Sequence, residues 1–105
     1  ICPGIGISAE ALFQRAAKLP RVEIARPKAV IGRTTVHSIQ SGLYFGYLAL
    51  VEGLVARMRH ELGGSPTVIA TGGLANLLLA DSSIVDRVDP LLTLTGLRIL
   101  FERNR

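Results

Sequence analysis

The chain has no tryptophan, one cysteine, one methionine, and aromatic residues at only 5% of its 105 positions. The single cysteine, Cys2, excludes an internal disulfide. No Cys/His spacing of the metal-binding kind occurs, so no metal site is expected. A reducing, cytoplasmic setting fits this usage, and no signal or transit segment is visible. Asp, Glu, Lys and Arg are missing from two long stretches, Thr34 to Val51 and Leu62 to Ala80. The first opens with His37, Ser38, Gln40 and Ser41; the second is broken by Gly63-Gly64-Ser65-Pro66 and by Gly72-Gly73. Neither supplies the roughly 20 continuous apolar residues of a spanning helix, so no membrane is expected.

What is present is apolar and uneven in charge. Nearly half of the chain (49%) is hydrophobic, enough to build a core rather than a disordered tail. The formal net charge of +4 is concentrated: Arg15, Lys18, Arg21, Arg26, Lys28 and Arg33 face Glu23 alone in that segment. Such a stretch suits a solvated connection first, a phosphate-bearing ligand second, and nucleic acid third. Beyond Arg15 no aromatic residue is interleaved with the charges, so base stacking is poorly supported and nucleic acid is not expected as a partner. The start at Ile1, with a Pro3-Gly4 turn at once, reads as a cut made inside a domain.

Local signals divide the chain into elements. Ser8 is placed to cap a first helix with Glu10 in its first turn, ending near Leu19-Pro20. Arg21 to Arg33 reads as an extended connection with room for one edge strand. From Thr34 or Thr35 to Leu62, apolar residues recur at Val36, Ile39, Leu43, Tyr47, Leu50, Leu54 and Met58, the three-and-four spacing of a helix. Tyr44, Leu48, Val51 and Val55 make a second stripe beside it. Ser38, Gly42 and Gly46 stand four apart, a line along which another backbone could approach, from within the subunit or from a second copy. Gly63-Gly64 ends the helix. Pro66 to Ala70 reads as a short buried parallel strand, followed by Thr71-Gly72-Gly73 and a helix from Leu74 to about Leu79. Asp81, Ser82 and Ser83 form a loop, Asp89-Pro90 a turn, and Thr93 caps a final helix with Leu94, Leu97, Leu100 and Phe101 inward. The order is that of an α/β layer.

Few residues carry chemistry by themselves. A strand running into Gly72-Gly73 and then a helix lets a ligand approach bare backbone, as nucleotides do, although paired glycines also make ordinary turns. One of Thr34 and Thr35 caps the long helix, which leaves the other hydroxyl for a ligand. His37 and His60 lack a carboxylate or cysteine at catalytic spacing and read as surface or packing residues. Asp81, Asp86 and Asp89 read as turn and cap residues. Cys2 has nothing nearby to activate it. No catalytic residue is expected within the chain.

Four segments, in order, resemble the C-terminal portion of the type III pantothenate kinases: Pro3-Gly4-Ile5-Gly6-Ile7-Ser8 with Glu10-Ala11-Leu12; Ala17 to Ile24 continuing through Pro27-Lys28, Val30-Ile31-Gly32 and Thr35-Val36; Thr67 to Ala75; and Val88-Asp89-Pro90 with Leu92-Thr93-Leu94 and Gly96-Leu97. The resemblance covers nearly the whole chain. It implies the C-terminal RNase H-like domain of the acetate and sugar kinase, Hsp70 and actin superfamily, incomplete here, with residues 1–105 forming the C-terminal portion of a two-domain kinase whose N-terminal domain is absent. It implies ATP-dependent phosphorylation of pantothenate, the first step toward coenzyme A, with Mg²⁺, a monovalent cation (K⁺ or NH₄⁺) and a homodimer. Carried over by position, Gly72 and Gly73 match the adenosine motif, and Thr35 matches a threonine that contacts pantothenate in the partner subunit's site. The helix around Val36 to Met58 then looks like the dimer face. The family's phosphate motifs and base aspartate lie upstream, so this portion alone is expected to be inactive. Two alternatives stay open: a non-catalytic relative acting as a transcription accessory factor, favoured only by the basic stretch, and another superfamily kinase sharing only the Gly-Gly turn.

Overall fold

The computed structural model describes residues 1–16, 18–79 and 82–105. Two compact units make up the chain, Ile1–Val51 and Glu52–Arg105. In order the elements are α1 (Ile5–Arg15), α2 (Thr35–Leu62), β1 (Ile69–Ala70), α3 (Ala75–Leu79), β2 (Arg87–Val88) and α4 (Leu92–Arg103). The mixed helix and strand character read from the sequence is what the structure has.

In the first unit α1 opens four residues earlier than its capping signal suggested. Gly4 is the N-cap residue, in extended conformation and without a side-chain cap, and Ile5 is buried. Ser8 therefore lies inside the helix, and its hydroxyl is bonded to the Tyr47 hydroxyl at 2.5 Å. Tyr47 donates to the Pro3 carbonyl at 2.7 Å. A long-range bond has claimed the hydroxyl that local sequence assigned to capping. Glu10 is likewise no first-turn residue; its carboxylate pairs with Arg21 at 2.9 Å. The helix stops at Arg15 rather than at Leu19-Pro20: the Ala16 N–H closes on the Leu12 carbonyl at 3.2 Å, and Lys18 turns the backbone with φ of 64°. Ala17 lies outside the described residues.

No strand forms among the described residues between α1 and α2, and the segment is pinned to α2 instead. Gln40 Nε2 donates to the Glu23 carbonyl at 3.1 Å, and the buried Ser41 hydroxyl donates to the Val30 carbonyl. Gly32 lies so close to α2 that a Cβ there would stand 2.5 Å from the Ser38 nitrogen. Among the described residues of the chain itself, the backbone approach expected along the Ser38, Gly42 and Gly46 line is made at Ser38, while a Cβ at Gly42 or Gly46 would meet nothing within 4 Å. Arg21 lies over the Phe13 ring at 4.3 Å, and Arg26 lies 5.9 Å from each of the Tyr44 and Phe45 rings. The aromatic partners of the basic stretch come from other elements, which spacing within the stretch could not reveal.

The long helix runs from Thr35 to Leu62, as its periodicity required. By length and composition alone it could cross a bilayer, its most apolar 18 residues averaging a mean hydropathy of 1.3. The chain itself occupies part of its apolar surface: Ile39, Leu43 and Tyr44 are buried, Tyr44 to 2% exposure. Farther along, Leu54 and Met58 are exposed. Gly63 and Gly64 end the helix with φ of 72° and 67°, a left-handed conformation that glycine adopts without a Cβ clash.

In the second unit β1 and β2 pair in parallel, Ile69 opposite Arg87 and Ala70 opposite Val88. The strand read over Pro66 to Ala70 is shorter than expected, and Ile69 is 45% exposed rather than buried. Among the described residues it has a single neighbouring strand, which leaves Ile69 partly open to solvent. The partner strand is held by Asp86, whose Oδ2 accepts from the Val68 N–H at 2.7 Å and from Arg59 at 3.3 Å. We expect Asp86→Ala to cost about 1 kcal/mol, the Arg59 pair being partly exposed and screened. Hydrogen exchange at the Val68 amide should then accelerate; unchanged protection would mean the strand is held without that carboxylate. Asp89 makes the expected turn, accepting from the Leu91 N–H at 3.0 Å. Thr93 does not cap α4: the N-cap residue is Leu91, without a side-chain cap, and Thr93 lies inside the helix. The face carrying Leu94, Leu97, Leu100 and Phe101 is exposed rather than turned into a core.

Candidate functional site

Thr35 and the glycine pair belong to different units, Thr35 to the first and Gly72-Gly73 to the second. At the start of α2 the two threonines divide their work. Thr34 Oγ1 accepts from the His37 N–H at 3.2 Å, and the Thr34 carbonyl accepts from the Ser38 N–H at 2.9 Å. Thr34 is therefore the capping residue. Thr35, the first helical residue, is exposed, and its hydroxyl has no partner among the described residues.

The glycine turn follows directly on β1. Gly72 has φ of 110°, which a residue with a Cβ rarely adopts, and its carbonyl accepts from the Ala75 N–H at 3.2 Å. Gly73 has no such constraint, and a Cβ built there would meet nothing within 4 Å. The two glycines thus serve differently. A Cβ at either would meet nothing within 4 Å, and Gly72 alone needs glycine for its φ. The Asp89 N–H donates to the Ala70 carbonyl at 2.8 Å, fixing the strand end that delivers the turn.

His37 and His60 are both exposed. Asp86 and Asp89 are occupied in strand and turn bonds, while Asp81 lies outside the described residues. Cys2 is exposed. Among the described residues no group of three or more His, Cys, Asp or Glu could hold a metal ion. The described residues do not make a Mg²⁺ cage, and no chemical step is assigned to a metal held by them.

Sequence reasoning missed a groove of about 720 Å³ in the first unit, where Ala11 and Leu12 of α1 face Ile39, Gly42 and Leu43 of α2. Its only sequence signal was the small residues Ala11 and Gly42, which are too common to point anywhere alone.

Residues 1–57 match the type III pantothenate kinase family. The chain belongs to that family. Three type III pantothenate kinases show how far the likeness extends. That of Exiguobacterium sibiricum is 60% identical over 105 residues, covering 100% of this chain and 41% of the relative. That of a Geobacillus species is 60% identical over 104 residues, covering 99% of this chain and 40% of the relative. That of Myxococcus xanthus is 61% identical over 104 residues, covering 99% and 41%. The chain thus spans about 41% of the length of these type III pantothenate kinases and corresponds to their C-terminal part.

Proposed function

We propose that this chain is the C-terminal portion of an enzyme that phosphorylates pantothenate with ATP, the first step toward coenzyme A. The observation that carries the proposal is the match of the whole chain, at 60% identity, to a protein named for that activity. No finding favours the transcription-factor alternative.

Phosphoryl transfer depends chiefly on positioning and charge neutralisation, so its parts can be shared among separate segments. In this reading the fold is the C-terminal RNase H-like domain of the sugar kinase and actin superfamily. Gly73 offers side-chain-free backbone to the flat adenosine ring, and Gly72 sets the turn that presents it. Thr35 extends its hydroxyl to pantothenate in the partner subunit's site. The division of work between the threonines supports this, since Thr34 alone takes the capping bond. The α2 face from Val36 to Met58 forms the homodimer contact, an isologous arrangement. Exposure of Val36, Leu54 and Met58 supports that assignment. Mg²⁺ travels with ATP, a monovalent cation (K⁺ or NH₄⁺) assists, and the catalytic base and phosphate motifs come from the upstream portion. The enzyme works in the cytoplasm, and residues 1–105 alone are inactive.

Complementation tests the function in cells. The intact gene should restore growth to a bacterium depleted of its own pantothenate kinase. Failure by a well-expressed, folded protein would count against the proposal.

A further inference from the structure

The basic stretch and the start of α2 together form a concavity of about 400 Å³. Its wall includes Arg26, Lys28, Arg33 and His37, with Pro27 and Ile31 as apolar neighbours, and no Asp or Glu lines it. Three formal positive charges therefore share one small space. Left to itself a connecting segment would spread such charges into solvent. Here the segment is held to α2 at three points: Gln40 holds the Glu23 carbonyl, Ser41 holds the Val30 carbonyl, and Gly32 packs on Ser38. Pro27 is buried, and Arg26 is seated over the Tyr44 and Phe45 rings. The cations are thus gathered by the fold before any ligand arrives. A concavity of one sign with low-dielectric walls concentrates counter-ions.

We propose that this concavity binds an oxyanion, a carboxylate or phosphate group of a small molecule, with Lys28 and Arg33 as its principal charge partners. Both side chains are exposed and make no bond among the described residues, so neither is committed elsewhere. Arginine matches the planar carboxylate and the faces of phosphate, and lysine adds a point charge. His37, on the α2 side, supplies a ring nitrogen to the same space. The inference goes beyond the kinase reading and does not require it.

The test uses the intact protein labelled with ¹³C-histidine, the His37 signal being assigned by its loss in His37→Gln. Inorganic phosphate added at constant pH should move the His37 signal saturably. In the double variant Lys28→Ala/Arg33→Ala the titration midpoint should rise by about tenfold or more, as for loss of charge-assisted bonds. Lys28→Arg/Arg33→Lys should restore most of the shift. A signal that does not move in the parent protein, or moves equally in the alanine variant, overturns the proposal. The source of the anion follows from kinetics. A tenfold higher Michaelis constant for pantothenate in the alanine variant would identify the substrate's carboxylate, by order of magnitude. An unchanged constant with the phosphate response lost would identify a phosphate-bearing ligand. A protein that turns over no ATP but keeps the phosphate response would sink the kinase proposal and leave this one standing.

Discussion

Leucine in place of Gly73 should raise the Michaelis constant of the intact enzyme for ATP by about tenfold or more, with folding unharmed. The prediction rests on the difference between two neighbouring glycines. At Gly72 any side chain must adopt φ of 110°, so a substitution there mixes backbone strain with any effect on binding. At Gly73 a Cβ meets nothing within 4 Å, and the chain loses nothing by carrying one. The space a leucine would take is the space proposed for the adenosine ring. Thermal unfolding should therefore leave Gly73→Leu near the parent, while Gly72→Leu unfolds at a lower temperature. A Gly73→Leu enzyme with an unaltered constant for ATP would remove this turn from the adenosine site.

The second large effect concerns assembly. Leucine at both Gly42 and Gly46 should convert the proposed homodimer to a monomer at concentrations where the parent remains paired. A Cβ at either position would meet nothing within 4 Å, and leucine is the better helix former by about 1 kcal/mol. The subunit should thus keep its fold. A closely packed helix contact cannot absorb two such side chains without separating, at a cost of roughly 1–3 kcal/mol for each. Sedimentation velocity reads the outcome directly. A dimer of unaltered affinity would place those glycines away from the interface and contradict the assignment of this face.

Legibility followed the range of the interactions. The long helix could be read almost to the residue because its stripe, its threonine start and its glycine stop are all local. The start of α1 was misread because Ser8 is a good capping type whose hydroxyl is used by Tyr47, 39 residues away. Nothing in the two residues Arg87-Val88 announces a strand; they pair because Asp86 reaches across to Val68. The basic stretch was visible as charge, but its aromatic seats on Phe13, Tyr44 and Phe45 depend on the folded chain. For the candidate site, residue types alone reached a glycine turn and a spare threonine. Resemblance to a family was needed to attach adenosine and pantothenate to them, since the reacting groups are assigned to another part of the polypeptide.

The measurement that bears most directly on the account is ATP turnover by the intact protein in potassium buffer, with and without pantothenate. ATP consumption should require pantothenate and yield one phosphorylated pantothenate for each ADP. A folded, dimeric protein that consumes no ATP in the presence of pantothenate would contradict it.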